Sequence, residues 1–177
     1  MKYDQFIKNK KNIIINSGFE VDIKKINPML FDFQKDIVIW ALKKGRACVF
    51  ADCGLGKTFI QLEWAKHIGG KCLIIAPLAV NLQTKMEGEK LDIPVSLAES
   101  QSDIINGINI TNYEKIHKFD LEKFDSIVLD ESSILKSYTG KYRTELIKKT
   151  KLVKYKLACT ATPAPNDYME LGNHAEF

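Results

Sequence analysis

Apolar residues along this chain follow two rhythms. Short unbroken runs at Ala47–Ala51 ("ACVFA"), Cys72–Ala76 ("CLIIA"), Val95–Leu97, Ile108–Thr111, Ser126–Leu129 ("SIVL") and Tyr155–Cys159 ("YKLAC") have strand length and read as buried strands. Between them, apolar positions at helical spacing predict helices over Phe33–Lys44, Lys57–His67, Ala79–Lys90 and Lys141–Lys149. In the first helix Ile37, Trp40 and Ala41 share a face, which predicts Trp40, like Trp64, turned to the core. In the second, Ile60, Trp64 and His67 fall on one side, with His67 expected at the cap or surface and not as a metal ligand. The alternation predicts an α/β fold with a mainly parallel sheet flanked by helices on both faces. Gly18 and Pro28 interrupt residues 1–30, an expected irregular lead-in to a domain over 31–177. The end, "NDYMELGNHAEF", is helical in pattern without a C-cap, which predicts a chain cut short.

Composition narrows the class without naming a function. A length of 177 residues suits one domain with one sizeable core. No run of apolar residues reaches membrane-spanning length, and the N-terminus has no signal-peptide pattern. Cys48, Cys53, Cys72 and Cys159 lack metal or disulfide spacing and are expected as small buried residues in a reducing, cytoplasmic setting. The net charge of +4 is uneven: the first 50 residues carry ten Lys+Arg against five Asp+Glu, and the other 127 carry 16 against 17. A basic start fits either nucleic-acid phosphate or a solvated lysine-rich surface.

The candidate chemistry sits in "VFADCGLGKTF", Val49–Phe59. A phosphate-binding loop needs glycines so that backbone N–H groups converge on oxygens, a lysine for the β- and γ-phosphates, and a hydroxyl for Mg²⁺. Gly54, Gly56, Lys57 and Thr58 supply these between a strand and a helix, whose N-terminus adds partial positive charge. Ala51 stands where the usual pattern has its first glycine. An ordinary glycine turn would look similar, and a second stretch decides between them. "DSIVLDESS" places Asp130 and Glu131 directly after an apolar strand, as a triphosphatase needs for Mg²⁺ and for the attacking water. Both stretches fall at strand C-termini, the edge where open α/β sheets bind ligands.

Taken together, the motifs resemble the first RecA-like lobe of superfamily-two helicases, a P-loop NTPase fold, and most closely the Swi/Snf-type DNA translocases. The resemblance spans residues 28–177. It rests on "LFDFQ", the loop, "APLAVNLQTK", "ITNYE", the Asp130–Leu146 acid motif and its sequel, and "TATP" followed by "PNDYMELG". The lead-in and the C-terminal stretch further resemble DEAD/DEAH-like helicases encoded by bacteriophages and prophages. The resemblance implies ATP and Mg²⁺ as cofactors, with Gln34, Cys53, Gly54, Leu55, Gly56, Lys57 and Thr58 around the nucleotide. Gln34 would read adenine, with Phe31 or Phe33 packed nearby unless those rings are plain core. Lys57, Asp130 and Glu131 would be catalytic, and Thr58 and Asp130 would hold Mg²⁺, partly through water.

Pro77, Leu78, Thr111 and Asn112 match motifs that track a nucleic-acid backbone, although a tight turn and a strand end would leave the same pattern. Thr160 and Thr162 would couple the nucleotide to the DNA groove. Lys136 is open between a DNA phosphate contact and a solvated side chain. Ser133 stands where the family usually has His or Asp, and Gln83 and Thr84 replace its usual Trp region. A second RecA-like lobe, with its arginine finger, is absent from these residues. Only Arg46 and Arg143 occur, and neither is expected at the phosphates.

The implied function is the ATP-binding lobe of a DNA helicase or double-stranded DNA translocase, an ATP hydrolase in the full-length protein. The isolated stretch is expected to bind DNA weakly and to hydrolyse almost no ATP. A nucleotide-binding interaction module without turnover is the alternative. A small-molecule kinase would need a basic lid and no Glu131.

Overall fold

The computed structural model describes residues 16–136, 141–164, 166, 168 and 170–177. Six strands, β1 (Arg46–Phe50), β2 (Lys71–Ala76), β3 (Val95–Leu97), β4 (Gly107–Asn112), β5 (Ser126–Asp130) and β6 (Tyr155–Thr160), form one sheet in the order β1-β6-β5-β2-β4-β3. All pairings are parallel. The helices are α1 (Asp32–Lys44), α2 (Lys57–Ile68), α3 (Asn81–Lys90), α4 (Lys141–Lys149) and α5 (Glu170–Glu176). The strands and the first four helices match the pattern-based expectations to within two residues at each end.

Side chains alternate along the strands and so divide the core in two. Cys72, Ile74, Val128, Leu157 and Cys159 point to one face, where they join Val38, Leu42, Ile60 and Trp64 from α1 and α2. Leu73, Ile75, Ile127, Leu129 and Ala158 point to the other, against Ile116, Phe119, Leu121 and Leu146. Burial on both faces is why "CLIIA" and "SIVL" read as unbroken apolar runs. Each fully buried Leu or Ile contributes about 1.5–3 kcal/mol by leaving water. The second face is covered largely by short 3₁₀ turns, such as Tyr113–Lys118 and Leu121–Lys123, which helical periodicity over long windows does not detect.

Residues 16–30 belong to the same core, with Ile26 and Leu30 buried among α1 and α2. The backbone N–H groups of Ser17, Gly18 and Phe19 donate to the carbonyls of Lys44, Lys43 and Leu42, capping the end of α1. A side chain on Gly18 would meet the Leu42 carbonyl at 1.7 Å, so the glycine permits this approach and does more than break a helix. Fully buried Glu63 on α2 accepts the Asn27 backbone N–H at 2.9 Å and pairs with His67 at 3.0 Å. His67 is therefore the partner of a buried carboxylate and not a cap or surface residue. Trp64 is buried as expected, but Trp40 is 44% exposed, because the α1 face turned inward is set by Gln34, Val38, Ala41 and Leu42. Of the four cysteines, Cys72 and Cys159 are buried, Cys48 is intermediate and Cys53 is exposed. Among the described residues no helix is long and apolar enough to cross a membrane.

Candidate nucleotide site

β6, last of the strands in the chain, lies between β1 and β5. The C-terminal ends of these three neighbours carry the phosphate loop, Thr160 and the acid pair, so segments distant in sequence meet on one edge. The loop and the acid pair line a cleft of about 790 Å³ together with Phe31, Phe33, Gln34 and residues of α3, with Thr160 buried beneath them.

On one wall, the loop turns from β1 into α2 through Gly54 (φ 81°) and Gly56 (φ 70°), left-handed values that glycine adopts without strain. The space beside Gly54 is open, with nothing within 4 Å of where a Cβ would stand, whereas a Cβ on Gly56 would meet Gln34 Nε2 at 2.4 Å. Lys57 Nζ donates to the carbonyls of Ala51 (2.9 Å) and Asp52 (3.1 Å), which holds its charge over the loop. Thr58 lies in the first turn of α2 and lines the cleft with Cys53, Gly54, Leu55 and Gly56. Gln34 is nearly fully buried. Its Oε1 accepts the Phe31 N–H at 2.9 Å, closing the N-terminus of α1, and its Nε2 donates to the Leu55 carbonyl at 3.0 Å. It thus ties α1 to the phosphate loop. Phe31 and Phe33 are not core: both are exposed at the rim, stacked at 6.1 Å with planes 10° apart.

The opposite wall is built from side-chain bridges. Asp130 Oδ1 accepts from Gln61 Nε2 at 2.7 Å, and the Asp130 carbonyl accepts from the buried Tyr113 hydroxyl at 2.6 Å. Burial, with the Glu131 charge beside it, raises the Asp130 pKa above the usual aspartate value, against the opposing pull of Gln61 and Lys57. Burial also keeps Tyr113 far above the ordinary phenol range, so it stays a donor. Glu131 sits at φ 58°, a left-handed conformation that costs a non-glycine residue about 1–3 kcal/mol. That turn carries its carboxylate to Thr160, whose hydroxyl donates to Glu131 Oε1 at 2.6 Å and accepts the Thr162 N–H at 3.0 Å.

Of the residues expected on a nucleic-acid track, Pro77 and Leu78 lie at the surface after β2, Pro77 in the lining of the cleft and Leu78 strongly exposed. Thr111 is 1% exposed inside β4, paired with Ile75, and Asn112 is buried with its side chain accepting from Lys115 N at 3.1 Å. Neither Thr111 nor Asn112 offers a surface to a polymer, because both complete the end of an interior strand. Thr162 is exposed and Thr160 buried. The side chain of Lys136 lies outside the described residues. Arg46 donates to the carbonyls of Lys151, Val153 and Lys154 at the opposite edge of the sheet, and Arg143 pairs with Glu176. Neither lines the cleft.

Gln61, Tyr113 and His174 escaped the motif reading. Gln61 falls one turn after Lys57, a spacing that placed it facing the sheet, and Tyr113 stood inside "ITNYE". His174 had no local signal. Besides the Glu131–Thr160 contact, a bridge from the acid turn to the "TATP" block runs through Ser132 and His174.

A six-stranded parallel sheet with these loops on its C-terminal edge is a RecA-like fold. The same fold occurs in the Sulfolobus solfataricus SWI2/SNF2 ATPase core in complex with dsDNA, at TM-score 0.71 and 23% identity over 88% of this chain and 37% of that one. It also occurs in the UvsW helicase from Bacteriophage T4, at TM-score 0.70 and 17% identity over 100% of this chain and 66% of that one. In sequence the chain is 30% identical over 189 residues to the Xenopus tropicalis SWI/SNF-related matrix-associated actin-dependent regulator of chromatin subfamily A-like protein 1. That match takes in 92% of this chain and 19% of the curated relative, so the chain spans about a fifth of its length. No family model matches the chain.

Proposed function

We propose that this chain is the ATP-binding lobe of a Swi2/Snf2-type DNA translocase or helicase, coupling ATP hydrolysis to movement on double-stranded DNA. The observation that carries the reading is the Glu131 carboxylate, held by Thr160 at 2.6 Å across the same cleft as Lys57 and Asp130. A small-molecule kinase needs no carboxylate to activate water, whereas a hydrolase needs an acceptor for the proton of the attacking water.

The residues fit ATP and Mg²⁺. The open space over Gly54 leaves backbone N–H groups accessible to phosphate, and a cleft of this volume suits a nucleotide. Asp130 is a recessed carboxylate whose pKa burial raises, so a cation beside it would favour its charged form. A Mg²⁺ would be held by the Asp130 carboxylate, Thr58, phosphates and water. When bound, Mg²⁺ would neutralise charge on the phosphates. Lys57, now donating to the Ala51 and Asp52 carbonyls, would hold the β- and γ-oxygens. Glu131 would orient water and accept its proton, with Thr160 fixing the carboxylate through Oε1. The exposed Phe31–Phe33 pair bounds the cleft where a base would lie, while Gln34, committed to Phe31 and Leu55, acts on the loop as well as on the adenine edge. DNA as partner draws support from the dsDNA complex of the Sulfolobus neighbour, and a phage-type protein from the UvsW likeness in fold.

The arginine that offsets γ-phosphate charge would come from a second lobe, because Arg46 and Arg143 are spent elsewhere. The test is steady-state phosphate release by the full-length protein with and without duplex DNA, beside a Lys57→Ala control. DNA-stimulated release that disappears in the control is the expected result; DNA-independent release, or none, would refute the translocase reading.

A further inference from the structure

The acid turn and the "TATP" block are joined twice. Behind the Glu131–Thr160 pair lie Ser132, fully buried, and His174 of α5, 4% exposed. His174 Nε2 is 3.1 Å from the Pro163 carbonyl, and Nδ1 is 3.3 Å from Ser132 Oγ. A carbonyl oxygen only accepts, so Nε2 carries the proton; in the neutral ring Nδ1 is then the acceptor and the Ser132 hydroxyl donates. The ring lies edge-on to Phe50 of β1, centroids 5.3 Å apart at 70°, which restricts its rotation. The neighbouring Asn173 donates to the Leu135 carbonyl at 2.8 Å and seats α5 over the turn that follows the acid pair.

These contacts close a ring. Glu131 and Ser132 are consecutive, and Thr160 and Pro163 are three apart on the segment leaving β6. One bridge, Thr160 to Glu131, faces the cleft; the other, Pro163 to His174 to Ser132, is buried behind it. Two bridges fix an orientation where one would leave a pivot, and the group so fixed is the strained Glu131. His174 does not line the nucleotide cleft.

We propose that His174 is a positioning residue for ATP hydrolysis: its imidazole locks Ser132 to Pro163, holds the Glu131 carboxylate on Thr160, and passes any displacement of the "TATP" block to the acid. This role rests on the hydrolytic reading of Glu131. A ring of this kind sets turnover and not nucleotide affinity, since Lys57, Gly54 and Thr58 stand on the other wall.

The experiment uses the full-length protein with His174→Ala, His174→Gln, Ser132→Ala and the Ser132→Ala/His174→Gln pair. Phosphate release at saturating duplex DNA is measured beside the Kd of a fluorescent ATP analogue. Gln keeps an N–H near the position of Nε2 but offers nothing to Ser132. His174→Ala is expected to lower kcat about tenfold with the analogue Kd within about twofold. Ser132→Ala and His174→Gln should each lower kcat about threefold, with the double variant no lower than the worse single, as members of one bridge behave. Multiplying losses in the double variant, a loss confined to Kd, or unchanged kcat would each overturn the role. If His174→Ala fails to fold in a thermal melt, the Gln and Ser variants carry the test. Absent turnover in the unmodified protein would overturn the hydrolytic reading itself. Normal turnover there with no effect at His174 overturns the positioning role alone.

Discussion

The phosphate loop reaches left-handed backbone at Gly54 and Gly56, whereas the acid turn across the cleft reaches it at Glu131, a residue with a side chain. The loop has no strain to offset, and Lys57 contacts carbonyls only five and six residues away. The acid wall draws partners from α2 and the turn after β4 for Asp130, from β6 for the strained Glu131 and from α5 for Ser132. The first wall is a local device, and the second is a tertiary one. A phosphate is a large, charged target that several converging N–H groups capture, while activating a single water requires one oxygen in one place.

That contrast predicts different failures on the two walls. The largest effect belongs to Glu131→Gln, which keeps the Thr160 contact but cannot take a proton. Turnover should fall by about 10²–10⁴-fold with ATP and Mg²⁺ binding retained; near-normal phosphate release would move the base elsewhere. Lys57→Ala strikes the local wall and should weaken ATP binding by about 1.5–3 kcal/mol, ten- to a hundredfold or more in Kd, without unfolding the domain. Equal binding of a fluorescent analogue to both proteins would contradict the loop assignment.

Gly56→Ala should cost about 1–2 kcal/mol through left-handed strain, plus displacement of Gln34, and a denaturant melt reads the sum. Glu131→Gly, by contrast, should raise the melting midpoint while abolishing turnover, because it releases the strain stored on the other wall.

Asp130→Asn separates stability from function. The folded Asp130 pKa lies above its unfolded value, so the unfolded chain gives up this proton first, and stability is lost as pH rises through the carboxylate range. The Asn variant lacks that penalty. It should melt higher than the parent at neutral pH without Mg²⁺, with the difference shrinking as pH falls, while Mg²⁺-dependent nucleotide binding weakens. A lower midpoint at neutral pH would contradict the burial argument. Smallest is Tyr113→Phe, which deletes one donor to the Asp130 carbonyl for about 0.5–1.5 kcal/mol. A cost well beyond that would give Tyr113 more than a tethering role.

The sequence by itself determined the strands, because runs buried on both faces of a parallel sheet have no other reading between helical segments of that length. It also located the glycine-rich loop between β1 and α2, whose glycines, lysine and threonine lie within a few residues of one another. It located the acid pair, since a carboxylate directly after an apolar run must emerge at a strand end. Only the tertiary structure decided the rest. The insertion of β6 between β1 and β5 brings Thr160 to Glu131, although 29 residues separate them. The same packing buries Thr111 and Asn112, which the resemblance had placed on a nucleic-acid track, and it turns Trp40 outward while a polar Gln34 goes in. His174 carried no signal at all, because its partners are the end of β5 and the segment after β6, and nothing in its own helix specifies either. Contacts within a loop or a helical turn are written in residue spacing; contacts across the sheet depend on strand order, which spacing does not encode.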